Sequence, residues 1–338
     1  MSTVSQAATI EPQARAPRVR GAIALALACL AGVWSLAGLT AWRLHEVARA
    51  QGQASAQSTA VMAAAYVRQT LEAGGLVLHS MQALLAGAGI TDEQAYRAFL
   101  EGPAATRSMR DRIANMKEVD KAAFIGCTGE VLGFSVVYPP PSINVADRDY
   151  FREQMGEAPP ERSLSAAVPD RSTGKWTFFL AERVRSNVAR GPLLALDRSA
   201  AGDRPFGVAI VGIKASLLSD FIGRSVLTPP GIVLLLRDDG VVLAGADIPT
   251  TVYGQKVSVV PPVSPELKSI LPSGPVVTGV AAVDGFPARV VVLSVQRSVV
   301  AEARNWSLVI VGIAMLASTA ILVAIWRSVS PAGRPRAP

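Results

Sequence analysis

The chain has 338 residues, half of them hydrophobic, and 33 basic against 26 acidic side chains give it a formal charge of +7. That length has room for two ordinary domains. Nucleic-acid binding is excluded as the reason for the charge. Arg15, Arg18 and Arg20 less Glu11 put +2 on the N-terminal tail, Arg327, Arg334 and Arg336 put +3 on the C-terminal one, and only +2 is left between them. A nucleic-acid binder would carry its cations on the folded part.

Residues 1–20 are polar, carry two prolines, and read as a disordered cytoplasmic tail. Gly21 to Trp42 contains no charged residue and is long enough to span a bilayer, so 21–43 is the first expected transmembrane helix. A cleaved signal peptide is the alternative, since Ala48-Arg49-Ala50 imitates a cleavage site. The apolar run is too long for a signal core, however, and Arg43, His45 and Glu46 intervene.

From Leu44 to Leu85 only Gly52, Gly74 and Gly75 interrupt a helical pattern, which predicts a long stalk helix over 44–90. Leu44 to Leu85 alone would extend roughly 60 Å at 1.5 Å per residue. Val67, Leu71, Gly74, Leu78, Met81 and Leu85 step by fours and threes, a seam that serves packing on its own domain, dimerisation along the stalk, or both. Thr91-Asp92-Glu93-Gln94 starts a second helix, interrupted near Gly102-Pro103.

Then the period changes to two. Ala122–Ile125, Val131–Val137, Trp176–Val184 and Phe206–Ile213 read as strands, with Trp176, Phe178 and Leu180 on one face and Thr177, Phe179 and Ala181 on the other. Ser186 to Arg204 is polar and loop-like, and Lys214 to Ile222 reads as a short helix. A second β set follows: Ile232–Arg237, Val241–Ala244, Val276–Val283 and Ala288–Val295. Ile125 to Leu132 aligns with Leu236 to Leu243 as strand, glycine turn and strand. The two sets are read as copies of one α/β module, the second lacking the segment from Asp147 to Trp176. The resulting division is 91–222 for the first lobe and 223–303 for the second.

Trp306 to Trp326 is again uncharged, with tryptophan at both ends as an interfacial belt has. It gives a second transmembrane helix over 304–326 and a short cytoplasmic tail over 327–338. Cations flank both spans on their outer sides, which predicts two cytoplasmic termini and an outward-facing 44–304.

Asp147-Arg148-Asp149-Tyr150-Phe151 concentrates carboxylates, a guanidinium, a phenol and a phenyl ring. Arginine grips a carboxylate with paired hydrogen bonds and tyrosine adds a neutral donor, so the string suits a small-anion pocket. It equally suits an ordinary helix start, with Arg148 paired to Asp147 or Asp170 and Trp176 in the core. No catalytic constellation stands out. Ser172 to Lys175 has the spacing of serine acyl enzymes without their partner motifs, and Gly174-Lys175 lacks the rest of a phosphate loop. His45 and His79 have no companions at ligand spacing, so no metal or cofactor is expected. Cys29 lies within the first span, leaving Cys127 without a disulfide partner in the outward part.

The Asp147–Phe151 string, the run Pro169-Asp170-Arg171-Ser172-Thr173-Gly174-Lys175-Trp176-Thr177, then Phe206 to Ala209, Arg237 to Ala244 and Asp284-Gly285 occur in one order behind a long helix. In this the chain resembles the membrane-anchored sensory region of bacterial receptors with a double Cache (PDC-type) domain, as in diguanylate cyclases and histidine kinases. The resemblance implies an α/β (α+β) fold of two tandem PAS-like lobes on a stalk helix in the inner membrane, a non-enzymatic, periplasmic signal-transduction input. It implies a carboxylate ligand in the membrane-distal lobe, met by Arg148, Tyr150 and Phe151 with Asp147, Lys175 and Trp176 nearby. The longer Arg-Trp-Tyr signature of the amino-acid-binding version is absent. Expected partners are the bilayer, a second copy through the stalk, and a separate cytoplasmic output protein, since only Arg327 to Pro338 follows the second span. A ligand-free dimerising membrane scaffold, or the truncated sensor half of a cyclase or kinase, is the alternative.

Overall fold

The computed structural model describes residues 16–185, 205–224, 231–259, 264–270, 276–295 and 297–329. The expected loop from Ser186 to Arg204, most of the N-terminal tail and the end of the C-terminal one lie outside these residues. The chain divides into two compact units, Met1–Gln51 with Arg297–Pro338, and Gly52–Gln296. Helix α1 (Ala16–Gly87) and helix α7 (Arg297–Val329) contain the two uncharged runs, and each is long and apolar enough to cross a membrane.

In the second unit, α1 is followed by α2 (Glu93–Leu100) and α3 (Pro103–Ile113). Asp92 caps α2 by accepting the Ala95 N–H at 2.8 Å, and Gly102-Pro103 ends one helix and opens the next, as the sequence predicts. The first sheet contains β1 (Val119–Gly126), β2 (Val131–Phe134), β3 (Ser163–Leu164), β4 (Val168–Pro169), β5 (Trp176–Arg185) and β6 (Pro205–Lys214). Its order is β2-β1-β6-β5-β3, with β4 also on β5, and every pairing is antiparallel. Helix α4 (Asp149–Met155) lies between β2 and β3 in the chain. Strand β2 stops at Phe134 rather than running to Val137. There Arg110 takes the Ser135 and Val136 carbonyls at 3.0 and 2.8 Å, and Val136, Val137 and Tyr138 turn outward.

After α5 (Leu217–Arg224) comes a second sheet of β7 (Gly231–Arg237), β8 (Val242–Ala246), β9 (Val276–Ala282) and β10 (Ala288–Val295), with α6 (Pro265–Ile270) inside it in the chain. Its order, β8-β7-β10-β9, repeats β2-β1-β6-β5. The repetition extends to single bonds. Gly129 and Gly240 both have φ +90°, and each carbonyl accepts an N–H from the returning chain, of Val145 and Val257 respectively. Val131 N–H donates to Ile143 as Val242 N–H does to Gln255, and β1 and β7 each shift register just before the turn. This is one module built twice.

The two faces of the first sheet have different jobs. Phe124, Phe178, Leu180 and Val211 belong to the core beneath α1, while Ala123, Phe134, Phe179, Ala181 and Ile210 form a second core with Tyr150 and Phe151 of α4. The heptad seam of α1 is spent on the first of these. Val67, Leu71, Leu78, Met81 and Leu85 are at most 1% exposed, and Gly74 sits over Leu180, Val211 and Ile213. Those side chains therefore cannot also form a dimer seam, and an interface on α1 would use its outward face, where Val61, Met62 and Leu76 are exposed.

Helix α1 also closes the open edge of the second sheet. Gln57 Nε2 donates to the Val280 carbonyl at 2.8 Å and its Oε1 accepts the Val280 N–H at 3.1 Å, so one side-chain amide replaces a missing strand. Gln53, one turn earlier, donates to Thr278 at 2.9 Å. Any Cβ at Gly279 would lie 2.2 Å from the Ala56 carbonyl oxygen, which fixes glycine there. Edges managed in this way do not recruit other chains.

Candidate ligand site

The returning chain of the first module positions the site. Asn144 closes a local turn by accepting the Ala146 N–H at 2.9 Å, and Val145 N–H reaches Gly129. Arg148 is then the N-cap residue of α4 with extended backbone, so its side chain leaves at the helix mouth while Tyr150, Phe151 and Gln154 turn inward. Asp149 stabilises the first turn, accepting the Tyr150 N–H at 2.8 Å. A cavity of about 40 Å³ lies between this helix start and the sheet. Ala123, Phe134, Val145, Phe179 and Ile210 make its apolar wall; Lys121, Arg148, Tyr150, Asp170, Arg171 and Ser172 make the polar end.

The polar end is paired unevenly. Asp170 Oδ2 accepts Lys121 Nζ at 2.6 Å, the Ser172 and Thr173 N–H groups at 2.8 and 2.7 Å, and both hydroxyls. Burial alone would push the Asp170 carboxyl up, but the hydrogen bonds from Lys121 and Ser172 hold it below the usual carboxylate range. Asp147 is exposed and is gripped in bidentate fashion by Arg171, at 3.0 and 2.7 Å, which likewise lowers its pKa. Neither carboxylate goes to Arg148. Its one hydrogen bond among the described residues is a long 3.5 Å contact to the Pro169 carbonyl. Burial pushes the Tyr150 phenol well above the usual tyrosine range, so it stays neutral, and its hydroxyl has no hydrogen-bond partner among the described residues.

Of the six residues the sequence singles out, Arg148 and Tyr150 line the cavity. Phe151 is buried behind them in the same core. Asp147 serves as counter-ion to Arg171. Lys175 is exposed on the turn between β4 and β5, where its carbonyl, rather than its ammonium, is used, accepting the Asp170 N–H. Trp176 lies on the opposite face, packed at 5.6 Å on Tyr253 of the second lobe; since Phe179 faces the cavity, the two-residue period of β5 directs Trp176 away from it.

Lys121 and Arg171 are residues the sequence reading passed over. Lys121 is 2% exposed, and Gly212, its partner on β6, leaves it room: a Cβ there would lie 3.1 Å from Lys121 Cγ. Its signal was available, because in Val119 to Ile125 it shares the inward parity of Ala123 and Ile125.

Solved structures of similar shape share this architecture. One is the extracellular domain of a histidine kinase, rpHK1S-Z16, with a TM-score of 0.57 at 19% identity, covering 74% of this chain and 97% of that one. The two-sheet fold is shared with this extracellular domain. Two further sensor domains share it. The ligand-binding domain of the Pseudomonas fluorescens chemoreceptor CtaA, solved with L-isoleucine, has a TM-score of 0.51 at 12% identity over 76% of this chain and 98% of that one. The ligand-binding domain of Mlp24, solved with asparagine, has 0.50 at 14% over 76% and 99%. No family model and no curated protein matches the sequence.

Proposed function

We propose that this chain is the extracytoplasmic sensor of a two-pass membrane protein, with both termini in the cytoplasm, and that the cavity of its first lobe binds a small carboxylate. The observation that carries the reading is the pairing pattern. Two neighbouring carboxylates are claimed by Lys121 and Arg171, which leaves the Arg148 guanidinium and the Tyr150 hydroxyl side by side with donors to spare. A ligand carboxylate fits those donors. The ligand-binding domains of CtaA and Mlp24 were solved with L-isoleucine and asparagine, which carry a carboxylate, and this agrees with the reading. Dimerisation through the outward face of α1 belongs to the same proposal.

Calorimetry of the full chain in lipid nanodiscs against a panel of two- to six-carbon carboxylic acids tests it. Saturable binding that is lost in Arg148→Ala is expected. A panel in which nothing binds, or binding that is indifferent to this substitution, refutes it.

A further inference from the structure

The row of β5 that faces α1 runs Phe178, Leu180, Glu182 and Val184, because alternate residues of a strand share a face. Phe178, Leu180 and Val184 are at most 1% exposed in the core beneath α1, so Glu182 is a carboxylate set into an apolar floor. Helix α1 holds it from above: Gln82 Nε2 donates to Glu182 Oε1 at 2.5 Å and to the Arg183 carbonyl at 3.4 Å. Arg162, just before β3, supplies the other contact, with its Nε 3.5 Å from Glu182 Oε2. Its guanidinium lies against α1 at Gly75, where a Cβ would stand 2.8 Å from Nη1. The glycines that interrupt the stalk pattern thus have a use, Gly74 resting on Leu180 and Gly75 seating Arg162. Each weakens a helix by about 1 kcal/mol relative to alanine, so α1 is least supported by its own backbone at this joint.

We infer that the joint between α1 and β5 is a second input site whose ligand is the proton: acidity outside the cytoplasm neutralises Glu182 in its apolar seat and tightens α1 onto the sheet. The joint lies on the face of the sheet opposite the carboxylate cavity and needs only the outward-facing topology proposed above. The charged groups around Glu182 are Arg162 and Glu161 from the segment before β3 and His79 from α1, while its neighbour on β6 is Ala209. Desolvation and Glu161 push the carboxyl pKa up, Arg162 and His79 pull it down, and the upward push wins. Gln82 serves both forms, as donor to the carboxylate or, through Oε1, as acceptor for the carboxyl O–H. Arg162 serves the ionised form only, from the long end of ion-pair range. Any state in which α1 lifts and water reaches Glu182 binds the proton less tightly, so falling pH favours the docked state. Helix α1 is continuous from Ala16 to Gly87, so the helix docked here also contains the first apolar run.

Hydrogen exchange of the full chain in nanodiscs between about pH 7.5 and about pH 4.5 tests this, read as protection factors so that the intrinsic pH dependence of exchange cancels. Protection of the α1 amides from Gly75 to Leu85 is expected to rise at least about threefold as pH falls, since one pKa unit is a factor of ten. In Glu182→Gln it is expected to be high already at neutral pH and flat. Arg162→Met, which removes a downward pull, is expected to move the rise to higher pH. His79→Gln is expected to keep the rise, which separates Glu182 from an exposed imidazole that titrates nearby. Constant protection in the natural chain overturns the inference, as does a rise that persists in Glu182→Gln or vanishes in His79→Gln. If Glu182→Gln does not fold, Arg162→Met decides: a rise left in place or moved to lower pH overturns it.

Discussion

Among individual side chains, Arg148 lines the cavity with a single long hydrogen bond among the described residues, 3.5 Å to the Pro169 carbonyl. A charge-assisted hydrogen bond contributes about 1.5–3 kcal/mol, so Arg148→Ala is expected to weaken binding of a small carboxylate by about 10- to 150-fold in calorimetry, with unfolding midpoints unchanged. Arg148→Lys should restore little, because a point-like ammonium cannot make the paired bonds of a guanidinium. Lys121 is the converse, a residue whose partners are internal, Asp120 at 3.2 Å and Asp170 at 2.6 Å. Lys121→Met leaves Asp170 half-compensated by Ser172 and Thr173, and a loss of roughly 3 kcal/mol of unfolding free energy is expected. The pH dependence follows from the sign of the Asp170 shift. Its folded pKa is depressed, so its contribution is complete above the unfolded value of about 3.9 and is lost as pH falls through the lower folded value. Unfolding followed from neutral to acid pH should show this loss in the natural chain and lack it in the variant carrying both Lys121→Met and Asp170→Asn.

At the scale of helices and strands, the joint between α1 and the edge of β9 carries the clearest expectation. Gln57→Ala removes both bonds to Val280, and a loss of about 1–3 kcal/mol in denaturant unfolding is expected, with Gly279→Ala more damaging because its Cβ meets the α1 backbone. On β5, Glu182 is buried enough that desolvation pushes its carboxyl pKa up against the opposing pull of Arg162, while Gln82 donates to it at 2.5 Å. Glu182→Gln should therefore stabilise the protein at neutral pH. The gain should fade as pH drops below the ordinary glutamate range, where the native carboxyl is protonated in both states. Elements of this size were largely legible in advance. The Asp92 cap, the Gly102-Pro103 break, the period of β5 and the duplicated turns are local signals, and local physics decides them. The site was legible only by halves. Arg148 and Tyr150 lie in the string that drew attention, but whether a charged side chain faces a cavity or a counter-ion depends on which distant carboxylate reaches it first. Asp147 to Arg171, and Lys121 to Asp170, span 24 and 49 residues of chain, and no spacing rule connects them.

For the unit Gly52–Gln296 as a whole, polar and close backbone contacts join the two lobes beside the shared core. Arg237, at the end of β7, is held by Asp239 at 3.0 and 2.9 Å and reaches across to Asp149 at 3.0 Å and the Leu164 carbonyl at 2.9 Å. Gly254 approaches Ala167 so closely that a Cβ would lie 2.4 Å from its carbonyl oxygen, and Trp176 stacks obliquely on Tyr253. Arg237→Ala is expected to raise amide hydrogen exchange in α4 severalfold while leaving the sheet centres β6 and β10 protected; uniform protection would show that the contact is idle. Arg148 and Asp149 are consecutive residues, one directed at the cavity and the other at Arg237. A ligand that loaded Arg148 would therefore act on the residue next to the one that ties α4 to the second lobe.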